Sequence, residues 1–334
     1  MIPSRFSFFQ PVIIKIGSSR TIILTSGRKT LIDEPARIAL SLVSGEAMGF
    51  GAKAASLDFS GSFDIDVSPL FWRGIPQDEA KCVKYVYSLR KKLSTTFKRK
   101  ILPIPAVLVV PSEFPTPYKK IFTQVLREAN FLPIATVSQI FGEFRYAVGN
   151  TVPEHTVVMI RIGESLTQVG LYTGGTEVFT CCLPAGGSDL DQLLQIYIHA
   201  TYGVIVSQHS LPPLKELYVK AKASQSQFSA VLRGKDIHTG VLRSVQLSDA
   251  DMSSVCSQFF AQLSSAVGFR LRSYQEIIAA THPPVSLFLS GGLSVIPEAK
   301  TSFAKALGRT PELVSRPHIA SVLGAATSIS HQDV

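Results

Sequence analysis

The sequence predicts a mixed α/β protein built from two similar lobes, and three observations lead to this prediction. A short segment recurs once along the chain, strand-like runs alternate with helical ones, and 334 residues suffice for about two domains. The composition, 46% apolar and 17% charged, excludes a disordered chain. No run approaches the roughly 18 unbroken apolar residues that a membrane span requires. These features indicate a soluble globular protein.

The recurring segment is the most informative of the three observations. Residues 14–21 (IKIGSSRT) return as residues 160–167 (IRIGESLT), with five of eight positions identical. Each copy ends an apolar strand-like run, turns at Gly17 or Gly163, and continues into a second strand-like run. A second turn and a third strand-like run follow in both copies. The repeat therefore predicts the same three-stranded meander twice and a lobe around each copy.

The remaining segments are typical of helices and strand–helix units. Apolar residues recur at helical spacing in residues 77–93, and a buried strand over 106–110 precedes another helix. Ser188 is predicted to cap a third helix. A strand over 285–289 continues into Ser290-Gly291-Gly292 and then a helix. These units predict mixed α/β lobes.

Charge and cysteine usage restrict the partners. The formal net charge of +9 favours an anionic partner, namely a membrane surface, nucleic acid or an acidic protein. The basic clusters at 90–92 and 98–100 are more typical of solvated helix ends, where cations suit the helix dipole. Nucleic acid is disfavoured because no aromatic-rich basic strand or recognition helix accompanies the charge. Four cysteines without a CxxC pair and seven histidines without ligand spacing predict no metal site and a reducing compartment.

The N-terminal segment carries Phe6, Phe8 and Phe9 beside Arg5. It lacks the uninterrupted apolar run and small-residue cleavage site of a secretory signal. Two interpretations remain open: the phenylalanines insert at a lipid interface, or they pack against the first lobe as an extended strand.

Glycine turns follow three of the predicted strands, at Gly17, at Gly163 and at Gly291-Gly292. A glycine at such a position lets backbone N–H groups approach a phosphate closely, although each turn alone is also typical of an ordinary tight turn. None is a P-loop or a dinucleotide fingerprint. Two turns in duplicated lobes and a third near the end resemble the layout of the actin, Hsp70 and sugar-kinase superfamily.

Within that superfamily the chain resembles MreB, the bacterial actin and rod-shape protein. The stretches that carry the resemblance are 31–35 (LIDEP), 37–39 (RIA), 49–53 (GFGAK), 110–112 (VPS), 185–191 (AGGSDLD), 234–240 (GKDIHTG), 316–317 (RP) and 323–326 (LGAA). The resemblance implies an actin-like fold of four subdomains around a central nucleotide cleft. It assigns residues 1–150 to lobe I, with 316–334 returning to it and a small subdomain at about 33–76, and residues 151–315 to lobe II, with a small subdomain at about 186–243.

The sequence departs from the family pattern where the family places its catalytic residues. The family has an aspartate at each phosphate turn, and here these positions are Lys15 and Arg161. Ser138 and Gln139 stand where the resemblance implies catalytic glutamates. Nucleotide sites hold Mg²⁺ by one or two carboxylates together with the phosphates. The resemblance with these departures implies no catalytic residues, no metal site and no ATP hydrolysis.

The residues that the resemblance assigns to the nucleotide cleft are Gly17, Ser18, Ser19, Gly163, Glu164, Ser165, Gly186, Gly187, Lys215, Ser290, Gly291 and Gly292. Glu164 fills space at the second turn and repels phosphate. Two interpretations of Lys15 and Arg161 stay open. They hold ATP or ADP directly without Mg²⁺, or they pair with Glu164 or another carboxylate and close an empty cleft.

The resemblance therefore predicts a cytoskeletal protein of the MreB type that is not an active enzyme. It implies a membrane-associated filament former or filament modulator in cell shape and cell-wall organisation, in the cytoplasm on the inner face of the cell membrane. Its partners would be copies of itself in a protofilament or an active MreB paralogue, together with an anionic membrane surface. The alternative is a non-polymerising scaffold of the same fold, similar to the PilM and FtsA adaptors, that recruits a membrane machine.

Overall fold

The computed structural model describes residues 11–58, 64–97, 102–149, 151, 153–279 and 285–330. Phe6, Phe8 and Phe9 lie outside the described residues, as does the basic cluster at 98–100.

The described chain forms mixed α/β structure throughout. The strands are β1 (Val12–Ile16), β2 (Arg20–Thr25), β3 (Thr30–Pro35), β4 (Arg37–Ser41), β5 (Ala47–Phe50), β6 (Ile65–Pro69), β7 (Phe71–Trp72), β8 (Ile75–Pro76), β9 (Ile104–Val110), β10 (Phe131–Ser138), β11 (Thr156–Ile162), β12 (Thr167–Thr173), β13 (Thr176–Leu183), β14 (Val204–Val206), β15 (Ser229–Asp236), β16 (Leu242–Ser248), β17 (Ser286–Ser290) and β18 (Glu312–Leu313). The α-helices are α1 (Ala52–Asp58), α2 (Glu79–Phe97), α3 (Thr116–Glu128), α4 (Gln139–Val148), α5 (Gly187–Tyr202), α6 (Leu211–Ala223), α7 (Asp249–Leu271), α8 (Gln275–Ala279), α9 (Pro297–Leu307) and α10 (Ala320–Ser330).

Two five-stranded sheets share one topology. The first has the order β10-β9-β1-β2-β3, in which β1, β2 and β3 are antiparallel and β9 runs parallel to both β1 and β10. The second has the order β13-β12-β11-β17-β18, in which β17 runs parallel to both β11 and β18. Each sheet is thus a meander extended from its first strand by two parallel strands. The prediction of a duplicated meander in an α/β fold is confirmed.

Contacts group the chain into two compact units. Unit 1 consists of Met1–Glu154, Gly170–Cys182 and His318–Val334, and unit 2 of His155–Val169 and Leu183–Pro317. The lobe boundaries near 150 and 315 and the small subdomains at 33–76 and 186–243 remain predictions.

In unit 1 both faces of the first sheet are covered. Val12, Ile14 and Ile16 of β1 pack into one buried cluster with residues of α2 and α3. Ile13 points to the opposite face and packs with residues of α10. Because side chains alternate along a strand, a strand covered on both faces is apolar at nearly every position. This explains why β1 is a nearly continuous apolar run.

A close crossing of two helices, α4 and α10, lies on the α10 side of this sheet. A Cβ added to Gly142 would overlap the Ser321 carbonyl oxygen, and one added to Gly324 would overlap the Gly142 carbonyl oxygen. Glycine at both positions lets the two backbones touch. This contact anchors the final helix on the unit that contains the first strand.

Unit 2 contains a smaller sheet and a long buried helix. The small sheet has the order β14-β15-β16, and its strands are antiparallel. Ser248 caps helix α7, with its hydroxyl accepting from the Asp251 N–H, and the helix buries apolar side chains along its length. In the part of the chain that the structure describes, no helix has the length and apolarity to cross a membrane.

Candidate functional site: the glycine turns after the strands

The first glycine turn joins β1 to β2 and is held by its own unit. The Gly17 N–H donates to the Arg20 carbonyl over 2.9 Å. The Ser18 hydroxyl accepts from the Arg73 N–H over 3.0 Å, and the Ser19 carbonyl accepts from the Ala36 N–H over 2.9 Å. Ser18 and Ser19, assigned to the nucleotide cleft by resemblance, thus hold neighbouring backbone segments in place.

The second turn has the same geometry at the equivalent positions of the repeat. The Gly163 N–H donates to the Leu166 carbonyl over 2.9 Å, which matches the bond from Gly17 to Arg20. The buried Arg161 side chain folds over this turn, because a Cβ on Gly163 would lie 2.6 Å from one guanidinium nitrogen. Ser165, two residues after Gly163, is also buried. The repeat in sequence is therefore a repeat of turn geometry.

The start of α5 packs directly on the second turn. The Gly187 N–H donates to the Gly163 carbonyl over 3.0 Å, and the Ser188 N–H donates to the Glu164 carbonyl over 2.8 Å. A Cβ on Gly186 would lie 2.6 Å from the Gly163 oxygen. Glycine is therefore needed at 186 because backbone meets backbone there.

The prediction that Ser188 caps α5 is wrong. The helix begins at Gly187, and Gly186 precedes it with an extended backbone. The Gly186 N–H donates to the Asp189 carboxylate over 2.8 Å, which supplies the reach-back bond of a capping box. The Ser188 hydroxyl instead donates to the Glu164 carbonyl over 3.0 Å. Tertiary packing on the turn displaced the cap that the local sequence favours.

Lys215 of α6 lies behind the same turn and is only 8% exposed. Its ammonium forms an ion pair with Asp191 of α5 over 2.8 Å and donates to the Gly187 carbonyl over 2.9 Å. A buried cation needs such partners to offset its lost hydration. The sequence analysis did not identify Asp191 as the partner of Lys215. The feature that could have indicated it is a carboxylate on the buried, apolar face of a predicted helix.

The residues at positions where the resemblance implies carboxylates also have structural partners. Lys15 is 5% exposed, and its ammonium donates to the His318 carbonyl over 3.4 Å. Ser138 caps α4, with its hydroxyl accepting from the Phe141 N–H over 3.5 Å, and Gln139 is buried beside it. Lys15 thus connects β1 to the C-terminal segment, and Ser138 serves the start of a helix.

The third turn follows β17 and lies next to the second in unit 2. Ser290 is paired in register with Arg161 across the parallel β11 and β17 strands. The Gly291 N–H donates to the Pro317 carbonyl over 3.1 Å, and the Ser290 hydroxyl donates to the same oxygen over 3.4 Å. Gly291 has a φ of 88°, whereas a Cβ on Gly292 would meet open space. Glycine is required at 291 because of this backbone conformation.

The structure thus brings the predicted residues together in two sets, one in each unit. Ser18 and Ser19 lie at the first turn with Gly17, and the remaining predicted cleft residues lie around the second and third turns. Among the described residues, no cluster of three or more His, Cys, Asp or Glu side chains has the arrangement of a metal site.

The duplicated sheets with matching glycine turns define a protein of the actin-like class. The chain belongs to the MreB/Mbl protein family, whose model matches residues 10–334. It is 23% identical to the cell shape-determining protein MreB of Pasteurella multocida (strain Pm70), covering 90% of this chain and 87% of that protein. It is 22% identical to the cell shape-determining protein MreB of Escherichia coli (strain K12), covering 86% of this chain and 84% of that protein.

Solved structures agree with this family assignment at the level of the fold. MreB5 of Spiroplasma citri bound to AMPPNP superposes with a TM-score of 0.83 at 16% identity, covering 97% of this chain and 98% of that one. The same protein bound to ADP gives a TM-score of 0.83 at 16% identity, covering 97% of both chains. The predicted family and the predicted actin-like fold are confirmed.

Proposed function

We propose that this chain is a filament-forming cytoskeletal protein in cell shape that does not hydrolyse ATP. Its membership of the MreB/Mbl family and its similarity to cell shape-determining proteins support the cytoskeletal part. The absence of hydrolysis rests on one observation, the two buried cations Lys15 and Arg161 at equivalent positions of the repeat. The resemblance implies an aspartate at each of these positions.

With cations at positions 15 and 161, the chain lacks there the carboxylates that place Mg²⁺ for phosphoryl transfer. Mg²⁺ is placed by carboxylates, and it neutralises the charge that develops on the transferred phosphoryl group. Lys15 and Arg161 supply neither carboxylate. Ser138 and Gln139 supply no carboxylate to position a water, and the Ser138 hydroxyl serves as a helix cap. The residues at 138 and 139 therefore support the same proposal as the two buried cations.

The proposed nucleotide site at the glycine turns is closed and holds no cofactor. The solved MreB5 neighbours are bound to AMPPNP and ADP, so the fold accommodates a nucleotide in that protein. In this chain Arg161 folds over Gly163, and Lys15 donates to the His318 carbonyl, which supports structural roles for both. The alternative is that these cations bind ATP or ADP directly without Mg²⁺. The first experiment distinguishes this alternative from a closed site.

The proposed place of action is the inner face of the cytoplasmic membrane. The net charge of +9 supports attraction to an anionic lipid surface, where each nearby Lys or Arg is worth about 1 kcal/mol. Phe6, Phe8 and Phe9 are the proposed insertion residues. The proposed assembly is a protofilament of this chain or a mixed filament with an active paralogue.

The first experiment combines ATP turnover with thermal unfolding of the purified chain. We expect no turnover above that of buffer, and no change in melting temperature with millimolar ATP or ADP, with or without Mg²⁺. A ligand present at a hundred times its Kd stabilises the folded state by about 2.7 kcal/mol, so binding would be visible. Mg²⁺-dependent turnover that an Arg161→Ala change alters would overturn the proposal. A rise in melting temperature with ATP or ADP that is the same with and without Mg²⁺ would indicate direct nucleotide binding instead of a closed site.

The second experiment is electron microscopy of the chain with vesicles. We expect filaments on vesicles that contain anionic lipid and fewer on neutral vesicles of the same size. Monomers that persist at high protein concentration, with and without lipid, would favour the non-polymerising scaffold.

A further inference from the structure

The solvent face of the small sheet in unit 2 carries apolar side chains where polar ones are usual. In an antiparallel sheet with one buried face, apolar residues point inward and polar residues point outward. The inward positions follow this rule, since Leu232, Val245 and Leu247 are buried. Three outward positions instead hold large aliphatic side chains: Ile205, Val231 and Leu242, which are 51%, 65% and 78% exposed.

The same face carries two exposed cations, Arg233 and Lys235 of β15. The strand register places Lys235 between Ile205 of β14 and Leu242 of β16. Arg233 and Val231 follow at steps of two residues along β15, so all of these side chains share one face. We call this set the basic face: Ile205, Val231, Arg233, Lys235 and Leu242.

The positive charge of the basic face is not compensated by nearby carboxylates. The remaining outward positions of β15 and β16 are neutral, namely Ser229, Ser244, Gln246 and Ser248. Asp236 belongs to the opposite row of side chains, where it binds Arg243 and N–H groups of its own turn. Among the residues that the structure describes, neither cation of the basic face has an ion-pair partner. The face therefore favours an anionic partner.

The combination of aliphatic and cationic groups suits the boundary of an anionic bilayer. Aliphatic side chains enter the acyl region there, while Lys and Arg remain at the headgroup phosphates. A second copy of this chain is a poorer occupant, because each copy has a net charge of +9 and would bring like charge to the face. An acidic protein would need a groove for each aliphatic group, whereas a fluid bilayer accommodates them wherever they project.

We propose that the basic face is a membrane contact that recognises anionic lipid and acts beside Phe6, Phe8 and Phe9. This inference rests on the membrane location in the proposed function, and it names residues of unit 2 that hold the chain on the lipid surface. Each cation near an anionic surface contributes about a fivefold gain in affinity, so the two cations together contribute about thirtyfold.

The first test compares two double variants that have the same net charge. One combines Arg233→Gln with Lys235→Gln, and its matched control combines Lys220→Gln with Lys300→Gln, two exposed lysines on α6 and α9 of the same unit. Binding is measured by co-sedimentation with vesicles of phosphatidylcholine and phosphatidylglycerol, and with phosphatidylcholine alone. We expect the basic-face variant to bind the anionic vesicles about thirtyfold more weakly than the wild type, and the control to stay within about threefold.

The second test concerns the aliphatic part of the basic face. Leu242→Gln should weaken binding to the anionic vesicles by at least about threefold, because a polar side chain gains nothing from the acyl region. Its matched control is Leu217→Gln, which removes a leucine that is 52% exposed on α6. The control should bind like the wild type, and equal losses in the two variants would contradict insertion of the face.

Three results of the first test would overturn the inference. Equal losses in the two double variants would show that net charge alone matters. A basic-face variant that binds vesicles like the wild type would contradict the contact directly. If that variant also lost filaments in lipid-free solution, the face would belong to a contact with a second copy. A wild type that binds no vesicles would instead remove the membrane location from the proposed function, and the inference with it.

A position-specific measurement decides if the basic-face variant does not fold. An environment-sensitive fluorophore is attached at Ser244→Cys, or at the exposed control position Ser257→Cys on α7, in a chain that also carries Cys182→Ser. We expect anionic vesicles to shift the emission at 244 to shorter wavelength and to leave that at 257 unchanged. No shift at 244, or equal shifts at both positions, would overturn the inference.

Discussion

Lys15 and Arg161 are buried in strands that otherwise carry almost only apolar side chains. A buried charge without partners costs far more than a buried hydroxyl, so each must be compensated locally. The Lys15 ammonium reaches the His318 carbonyl, and the Arg161 guanidinium lies over Gly163. At the scale of single residues, these positions are integrated into the fold, which is what a structural role requires.

The four cysteines are predicted to differ sharply in reactivity. Burial raises the pKa of the Cys256 thiol to about 12 and that of the Cys82 thiol to about 11, and Cys181 is also buried. Cys182 is half-buried and lies beside the Ser112 hydroxyl. Because the thiolate is the reactive form, an aromatic disulfide reagent at pH 8 should modify Cys182 first and the other three only on unfolding. Cys182→Ser should abolish the fast phase, and four equally fast thiols would contradict the prediction.

At the scale of elements, the crossing of α4 and α10 depends on glycine. We expect Gly142→Ala to destabilise the protein by about 1–3 kcal/mol or more, because the added methyl meets the rigid Ser321 carbonyl. Gly268→Ala is the matched control, since Gly268 is also inside a helix but a Cβ there would lie 3.9 Å from Leu307. It should stabilise the protein by up to about 1 kcal/mol through helix propensity. Urea unfolding measures both, and a neutral Gly142→Ala would contradict the close crossing.

The hairpin between β15 and β16 depends on the ionisation of Asp236. The N–H groups of Thr239 and His238, with the Arg243 guanidinium, lower the pKa of this carboxyl to about 2. A lowered folded-state pKa gives stability that is present above the unfolded value of about 3.9 and is lost as pH falls toward 2. Asp236→Asn should therefore be less stable than the wild type above pH 4, with the difference shrinking toward pH 2.

Thermal unfolding between pH 7 and pH 2 tests this expectation for the hairpin. Glu216→Gln, at an exposed position, should follow the wild type at every pH. A difference between Asp236→Asn and the wild type that stays constant with pH would show that the ionised carboxyl does not stabilise the turn.

At the scale of the whole molecule, the duplication links sequence to fold. Two segments that share five of eight residues fold into turns with the same closing hydrogen bond, from Gly17 to Arg20 and from Gly163 to Leu166. The sheets that contain them have the same strand order. The strands and turns were predictable because alternation of side chains and glycine turn chemistry act over a few residues. The family followed from short motifs spread in order along the chain.

The surroundings of the turns were much less predictable. Lys15 and His318 are 303 residues apart in sequence, and Ser18 and Arg73 are 55 apart. Ser188 is the stronger capping residue by type, yet Gly186 is the residue that precedes α5, with Asp189 bonded back to its N–H. The backbone of the second turn occupies the space beside Gly186, so packing decided where the helix begins.

The duplication, the mixed α/β class and the family could be read from the sequence, as could Lys15, Arg161, Ser138 and Gln139 at positions where the resemblance implies carboxylates. These depend on residue type and on spacing within a few residues. The packing of distant segments sets the partners of the buried cations: the His318 carbonyl accepts from Lys15, and Asp191 and the Gly187 carbonyl contact Lys215. The physical reason is that electrostatic and hydrogen-bond energies depend on distance and burial, which arise when segments remote in sequence pack together.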